Sequence, residues 1–262
     1  MISAERAIKT LRRDSTISAV LKWSVVGGLI LLPLTGRGLP LGGVFLVIGI
    51  GWVALSYFSA RGSSMAADSP SLIASGQFDA AEQEIEKVIR SFWLFRSVKL
   101  LGLHHLAMLR HAQRQWRESA LLSRALLRQK LTGLPGVART ARLVLADSLL
   151  ELGDLAGAQE TLLSIYAQRL TLVEAMNLLL VQLDYESRIE AWPAMFSNIT
   201  AKLQLAELMP ATSSARTQAM LALAADKTGH PDWSAWLRRR AELLIDVNEL
   251  TAQRPILKQL WN

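Results

Sequence analysis

Cysteine is absent from the chain, which excludes disulfide staples, thiolate metal ligands and thiol nucleophiles. Histidine occurs four times, and only His104, His105 and His111 lie near one another. On a helix, adjacent His104 and His105 point about 100° apart, and no carboxylate lies within a turn to complete a ligand set. Strand-like alternation is also missing, so no Gly-rich phosphate loop can follow a strand. No serine has a general base at a recognisable spacing. The sequence therefore predicts no enzyme, no cofactor and no metal. The alternative within chemistry is a cryptic enzyme or metal site using His104 and His111, which share a helix face.

Acidic residues are scarce in one long section. Residues 87–142 hold twelve Lys and Arg against a single acid, Glu118, whereas residues 143–190 hold eight acids and two arginines. The net charge of +7 thus hides two adjoining sections of opposite charge. Nucleic acid is not expected as a partner, because no groove-reading motif accompanies the basic section.

What the chain has in excess is apolar residues, 51% of the total, concentrated at the start. Residues 17–34 (ISAVLKWSVVGGLILLPL) and 39–60 (LPLGGVFLVIGIGWVALSYFSA) are apolar runs separated by TGRG. At about 1.5 Å per residue, the second is long enough for a hydrocarbon core of roughly 30 Å. The first is interrupted by Lys22, whose ammonium can reach back to the headgroups. Trp23, Trp52 and Tyr57 sit near the run ends, where amphipathic rings favour the interface. A transmembrane helical hairpin over 17–60 is expected. A re-entrant hairpin around Pro33, Gly36, Gly38 and Pro40 is the alternative. LLPLTGRG offers no small-residue cleavage site, against a signal peptide. Arg6, Lys9, Arg12 and Arg13 make 1–16 a basic cytoplasmic tail against Arg37 alone between the spans, so both termini are expected on the cytoplasmic side of an inner membrane. Residues 61–67 read as a small, polar linker.

From 68 to 262 the pattern is helix after helix. The pair Leu-Ala recurs at Leu106-Ala107, Leu145-Ala146 and Leu223-Ala224, separations of 39 and 78 residues. A second register marks the turns: Phe78, Trp116, Leu155, Trp192 and Trp233, spaced 38, 39, 37 and 41. A common period in two registers is the mark of a repeat protein. In residues 139–172, Leu145, Ala146, Gly153, Leu155, Ala158 and Leu162 hold the spacing of a helix hairpin whose small residues allow close crossing and whose glycine ends the first helix.

This stretch resembles the tetratricopeptide repeat family. The other units depart from it: Pro70 truncates the first helix, Arg114 and Ser119 replace a glycine and an alanine, the match around Trp192 is weak, and Trp236 stands at the last crossing. The fold class implied is all-α, an N-terminal transmembrane hairpin followed by a tetratricopeptide-like α-solenoid of four to five degenerate hairpins. The family's groove positions fall on His104, Met108 and His111, on Thr140, Asp147 and Glu151, and on Asn177, Asp184 and Arg188. Such a groove binds polypeptides, and three carboxylates in it favour a basic segment of the partner.

Arg117, Arg124 and Arg128 recur at i, i+7 and i+11, on one helix face. Together with Arg90, Arg96 and Lys99 beside Phe92, Trp93 and Phe95, they are expected to meet an anionic lipid surface. The architecture is similar to that of PelE-like components of exopolysaccharide synthesis. It implies a membrane-anchored adaptor or scaffold on the cytoplasmic face, in an envelope, polysaccharide-export or secretion complex. An extracytoplasmic assembly factor, as in cytochrome c maturation, is the alternative.

Overall fold

The structure, a computed structural model, describes residues 3–31, 49–51, 53, 57, 68–91, 96–131 and 133–261. Among them every regular element is helical: α1 (Ala4–Leu31), α2 (Ser69–Ala74), α3 (Phe78–Arg90), α4 (Arg96–Ala112), α5 (Trp116–Leu127), α6 (Pro135–Glu151), α7 (Leu155–Tyr166), α8 (Leu172–Arg188), α9 (Trp192–Phe196), α10 (Ile199–Glu207), α11 (Ala211–Lys227), α12 (Pro231–Leu244) and α13 (Val247–Gln253), then a 3-10 helix, Pro255–Leu260. The chain forms two compact units, Met1–Ser148 and Leu149–Asn262.

Five turns share one geometry. Gly76, Arg114, Gly153, Glu190 and Gly229 all have positive φ, between 55° and 78°. In each, that residue's N–H donates to the carbonyl three residues back and the next N–H donates five back, as in Gly153 to Leu150 at 3.0 Å and Asp154 to Leu149 at 2.9 Å. This is the Schellman stop, which satisfies the last carbonyls of the helix. The next helix then starts two residues on, at Phe78, Trp116, Leu155, Trp192 and Pro231. The periodicity read from the aromatics therefore holds for four turns. At the fifth it is corrected: Pro231, not Trp233, occupies the register.

Five residues beyond each left-handed residue stand Ala81, Ser119, Ala158, Met195 and Ser234, all buried. These are the helix crossings, and Ser234 takes the place expected for Trp236. Ser119 keeps its hydroxyl satisfied by donating to the Ala107 carbonyl at 3.0 Å. The fourth hairpin's second helix is broken: Pro193 lies in the first turn of α9, and Asn198 adopts φ +52° before α10.

Arg114 and Glu190 hold a conformation that strains a residue bearing Cβ by roughly 1–2 kcal/mol. Arg114→Gly and Glu190→Gly are each expected to stabilise the chain by about 1 kcal/mol, less the entropy glycine adds to the unfolded state. Urea midpoints of the single variants check this. Gly153→Ala, with open space around the site but φ +78°, should move the opposite way.

In the first unit α3, α4 and α5 pack in succession, with α2 against α3 and α4, and α1 against α3, α4 and α5. The N-terminal segment is thus corrected from a basic tail to part of the fold. Ala4, Ala7 and Leu11 join Ile85, Leu103, Leu106 and Leu122 in one core. The spacing 4, 7, 11, 14 is a single helical stripe, and Arg6, Lys9, Arg12 and Arg13 are exposed beside it. Asp14, the last residue of the stripe, is buried and pairs with buried Lys99 at 2.8 Å.

Further along α1 the character changes, with Ile17, Val20 and Trp23 exposed. Among the described residues no helix is long and apolar enough to cross a membrane. The expected two-span hairpin gains no support there. Of its second run only 49–51, 53 and 57 are described; the 61–67 linker and Phe92, Trp93 and Phe95 lie outside the described residues.

In the second unit α11 is the central element, packed against α8, α9, α10, α12 and the 3-10 helix. Ala219, Met220, Leu221, Ala222, Leu223 and Ala224 are all buried, so the helix is apolar around its circumference, as an enclosed helix must be. Leu250, Leu257 and Leu260 bring the C-terminal segment into the same core.

Candidate functional site

On α4 the three expected groove residues have different fates. His104 is only 6% exposed, and its Nδ1 has no hydrogen-bond partner. Burial, with the neighbouring His105 adding to it, lowers its pKa to about 4. It is a core histidine rather than a groove ligand. Met108 is half-buried. His111 Nε2 lies 2.7 Å from Asp147 Oδ2, with its ring edge-on to Trp116 at 5.0 Å between centroids. Thr140 turns its hydroxyl back to the Gly136 carbonyl at 3.0 Å. Among the described residues, His104 and His111 belong to no group of three potential metal ligands.

His104 makes stability depend on pH in a defined direction. The folded chain keeps the ring neutral down to about pH 4, whereas an unfolded histidine protonates near 6.5. Between those values the unfolded state binds the extra proton, so stability present above pH 6.5 is lost as pH falls through 4. The expected loss is about 3 kcal/mol. Comparing urea denaturation at pH 7 and pH 4.5 for the wild type and His104→Leu checks it: the variant should lack this component.

In the second unit the expected acidic groove is corrected. Asp184 is 2% exposed, and Glu151 is partly buried. Three guanidiniums converge on these two carboxylates. Arg188 Nη2 reaches Glu151 at 2.8 Å and Asp184 at 3.2 Å, and its Nη1 donates to the Leu150 carbonyl at 2.6 Å. Arg254 reaches Glu151 at 2.6 Å and Asp184 at 3.1 Å. Arg216 lies 3.5 Å from Asp184. Glu151 and Asp184 are thus already paired with the chain's own cations, and Asn177 alone of the fourth unit's three expected positions is exposed.

The Arg188–Asp184 pair was legible as an i,i+4 spacing. Arg216 had a fainter signal: it lies 39 residues beyond Asn177, the interval between the turns at Glu190 and Gly229, and so repeats Asn177's register in α11. Arg254, separated from Glu151 by 103 residues, had none.

The expected membrane-facing cations also divide. Arg117 and Arg124 are exposed on α5 and Arg128 just past its C-terminal end, with Leu121 exposed between them. Arg90 is exposed and pairs with Glu86 at 2.5 Å. Arg96 is half-buried and donates to Gln129. Lys99 is 3% exposed and donates to the Ile89 carbonyl as well as pairing with Asp14. Its pKa is lowered, first by burial, with Asp14 opposing the shift. Lys99 and Arg96 are therefore structural cations; Lys99 shares its helix face with buried Leu103 and Leu106 at i+4 and i+7, which makes that face the core face.

No protein-family model, no curated protein and no solved structure matches the chain.

Proposed function

We propose that this chain is a membrane-anchored, tetratricopeptide-like scaffold that binds protein partners on the cytoplasmic face of an inner membrane. The observation that carries the reading is α1. One unbroken helix begins in the core of the first unit at Ala4, Ala7 and Leu11 and continues into exposed Ile17, Val20 and Trp23. Water does not favour such a surface; a bilayer does. Ile50, Val53 and Tyr57, in the second apolar run, are exposed too.

The helix packs against α5, which exposes Arg117 and Arg124 and is followed by exposed Arg128. Each basic side chain close to an anionic leaflet contributes about 1 kcal/mol, and Leu121 among them adds apolar contact. The basic segment expected in the partner remains part of the reading, but in the second unit it meets carboxylates already held by Arg188, Arg216 and Arg254.

The full chain is expected to sediment with membranes and to resist carbonate extraction, and a fluorescent protein fused after Asn262 should fold in the cytoplasm while a phosphatase there stays inactive. Recovery of the full chain in the soluble fraction would overturn the anchor, and an active phosphatase would overturn the sidedness.

A further inference from the structure

With the fifth turn assigned to Gly229 and its crossing to Ser234, Trp233 and Trp236 are not consumed by the repeat. Both are exposed, at 38% and 44%. Their rings stand nearly perpendicular, at 87° with centroids 5.7 Å apart, and with Asp232 they line a pocket of about 240 Å³. Phe196 holds Trp233 edge-on at 6.5 Å and stacks on His230 at 4.2 Å, so the arrangement is buttressed from α9. Asp232 is exposed and has no ion-pair partner among the described residues.

We propose that Asp232, Trp233 and Trp236 form a recognition pocket for an arginine side chain of a partner polypeptide. The exposed indoles, set edge to face, and one carboxylate beside an open pocket attract a cation through a ring quadrupole and through charge. The pocket lies below the roughly 300–1,000 Å³ of drug-sized sites, which suits one side-chain head. Arginine is favoured over lysine because its guanidinium is less strongly hydrated and stacks on aromatic faces. The chain's own Arg240 guanidinium already lies over the Trp236 ring, 4.7 Å from its centroid and steadied by Glu207 at 3.0 Å, so Trp233 and Asp232 are the groups left for an incoming guanidinium. A leaflet rich in anionic lipid is repelled by the same carboxylate, so a polypeptide is the occupant. The proposal rests on the protein-binding part of the function above and gives its basic partner segment a carboxylate that no internal arginine holds.

The test uses the full chain in mild detergent with 15N-labelled tryptophan, whose eight indoles are resolved by NMR and assigned with Trp233→Phe and Trp236→Phe. Titration with N-acetyl-arginine amide should shift the Trp233 and Trp236 signals saturably. The uncharged citrulline analogue should not, and Asp232→Asn should weaken binding about tenfold. Equal shifts with citrulline, an unaffected Asp232→Asn variant, or no saturable shift would overturn the proposal. Tighter binding of choline than of arginine would overturn the polypeptide occupant in favour of a lipid headgroup. The readout is independent of membrane fractionation, so failure here and failure of the anchor are distinguishable.

Discussion

Asp14→Ala is expected to destabilise the first unit by about 3–5 kcal/mol, because it strands Lys99 as an unpaired charge inside the fold. Lys99 and Asp14 are 3% and 4% exposed, so bulk solvent reaches neither group. Deleting residues 1–16 should be worse, since it also removes Leu11, whose loss by itself costs about 2–5 kcal/mol, together with Ala4 and Ala7. Truncation to residues 68–262, the obvious route to a soluble fragment, removes the same residues and should therefore yield an unfolded or aggregating first unit. Hydrogen exchange on α3, α4 and α5 in the full-length variants reads this directly, with early loss of protection expected. The double variant Asp14→Leu, Lys99→Met should recover much of the stability, because replacing both members of a buried pair by apolar groups is often neutral. Full protection in Asp14→Ala would show that the pair contributes nothing.

Asp184→Ala should have an effect of similar size on the second unit, about 3–5 kcal/mol. Three arginines pair with this carboxylate, two of them also with Glu151, and removing it leaves Arg188, Arg216 and Arg254 facing one another with one fewer counter-charge. Even the gentle change Asp184→Asn should destabilise, since it removes charge without removing the cations. An exposed groove carboxylate would behave otherwise, with changes within about 0.5 kcal/mol. Asn177→Ala, exposed on the same helix, is the internal control and should be silent. Denaturant unfolding of the full chain in mild detergent, followed by circular dichroism, separates the cases. An Asp184→Asn variant as stable as the control would mean that the arginines, not the carboxylate, organise the site.

The two expectations fail in the sequence for the same reason that they matter in the fold. Lys99 and Asp14 are 85 residues apart, and a lysine in a basic section reads as a surface residue until its partner is seen. Asp184 and Glu151 read as groove carboxylates because helical phase tells which face a residue occupies but not what stands opposite. Arg254 reaches them only because Leu250, Leu257 and Leu260 draw the C-terminal segment into the core. His104 illustrates a further limit: its face was legible, yet the depth of burial that holds it neutral depends on which helices cover that face.

The hairpins were read closely where backbone geometry is written locally. A left-handed helix stop requires a residue tolerant of positive φ, a helix start follows two residues later, and a small residue is needed where the helices cross; Gly76, Gly153, Ala81 and Ala158 supply these and mark the register by themselves. Arg114 and Glu190 occupy the same conformation without any residue-type signal, since tertiary packing on either side over-determines the turn. The order of helices, the period near 39 and the all-helical class were thus determined by the sequence, through interactions that span a few residues. The docking of α1 in the core, the closure of the acidic positions by three arginines and the release of Trp233 and Trp236 to the surface were decided only in the tertiary structure. Each depends on long-range pairing, whose free energy comes from desolvation and charge partners that no local pattern specifies.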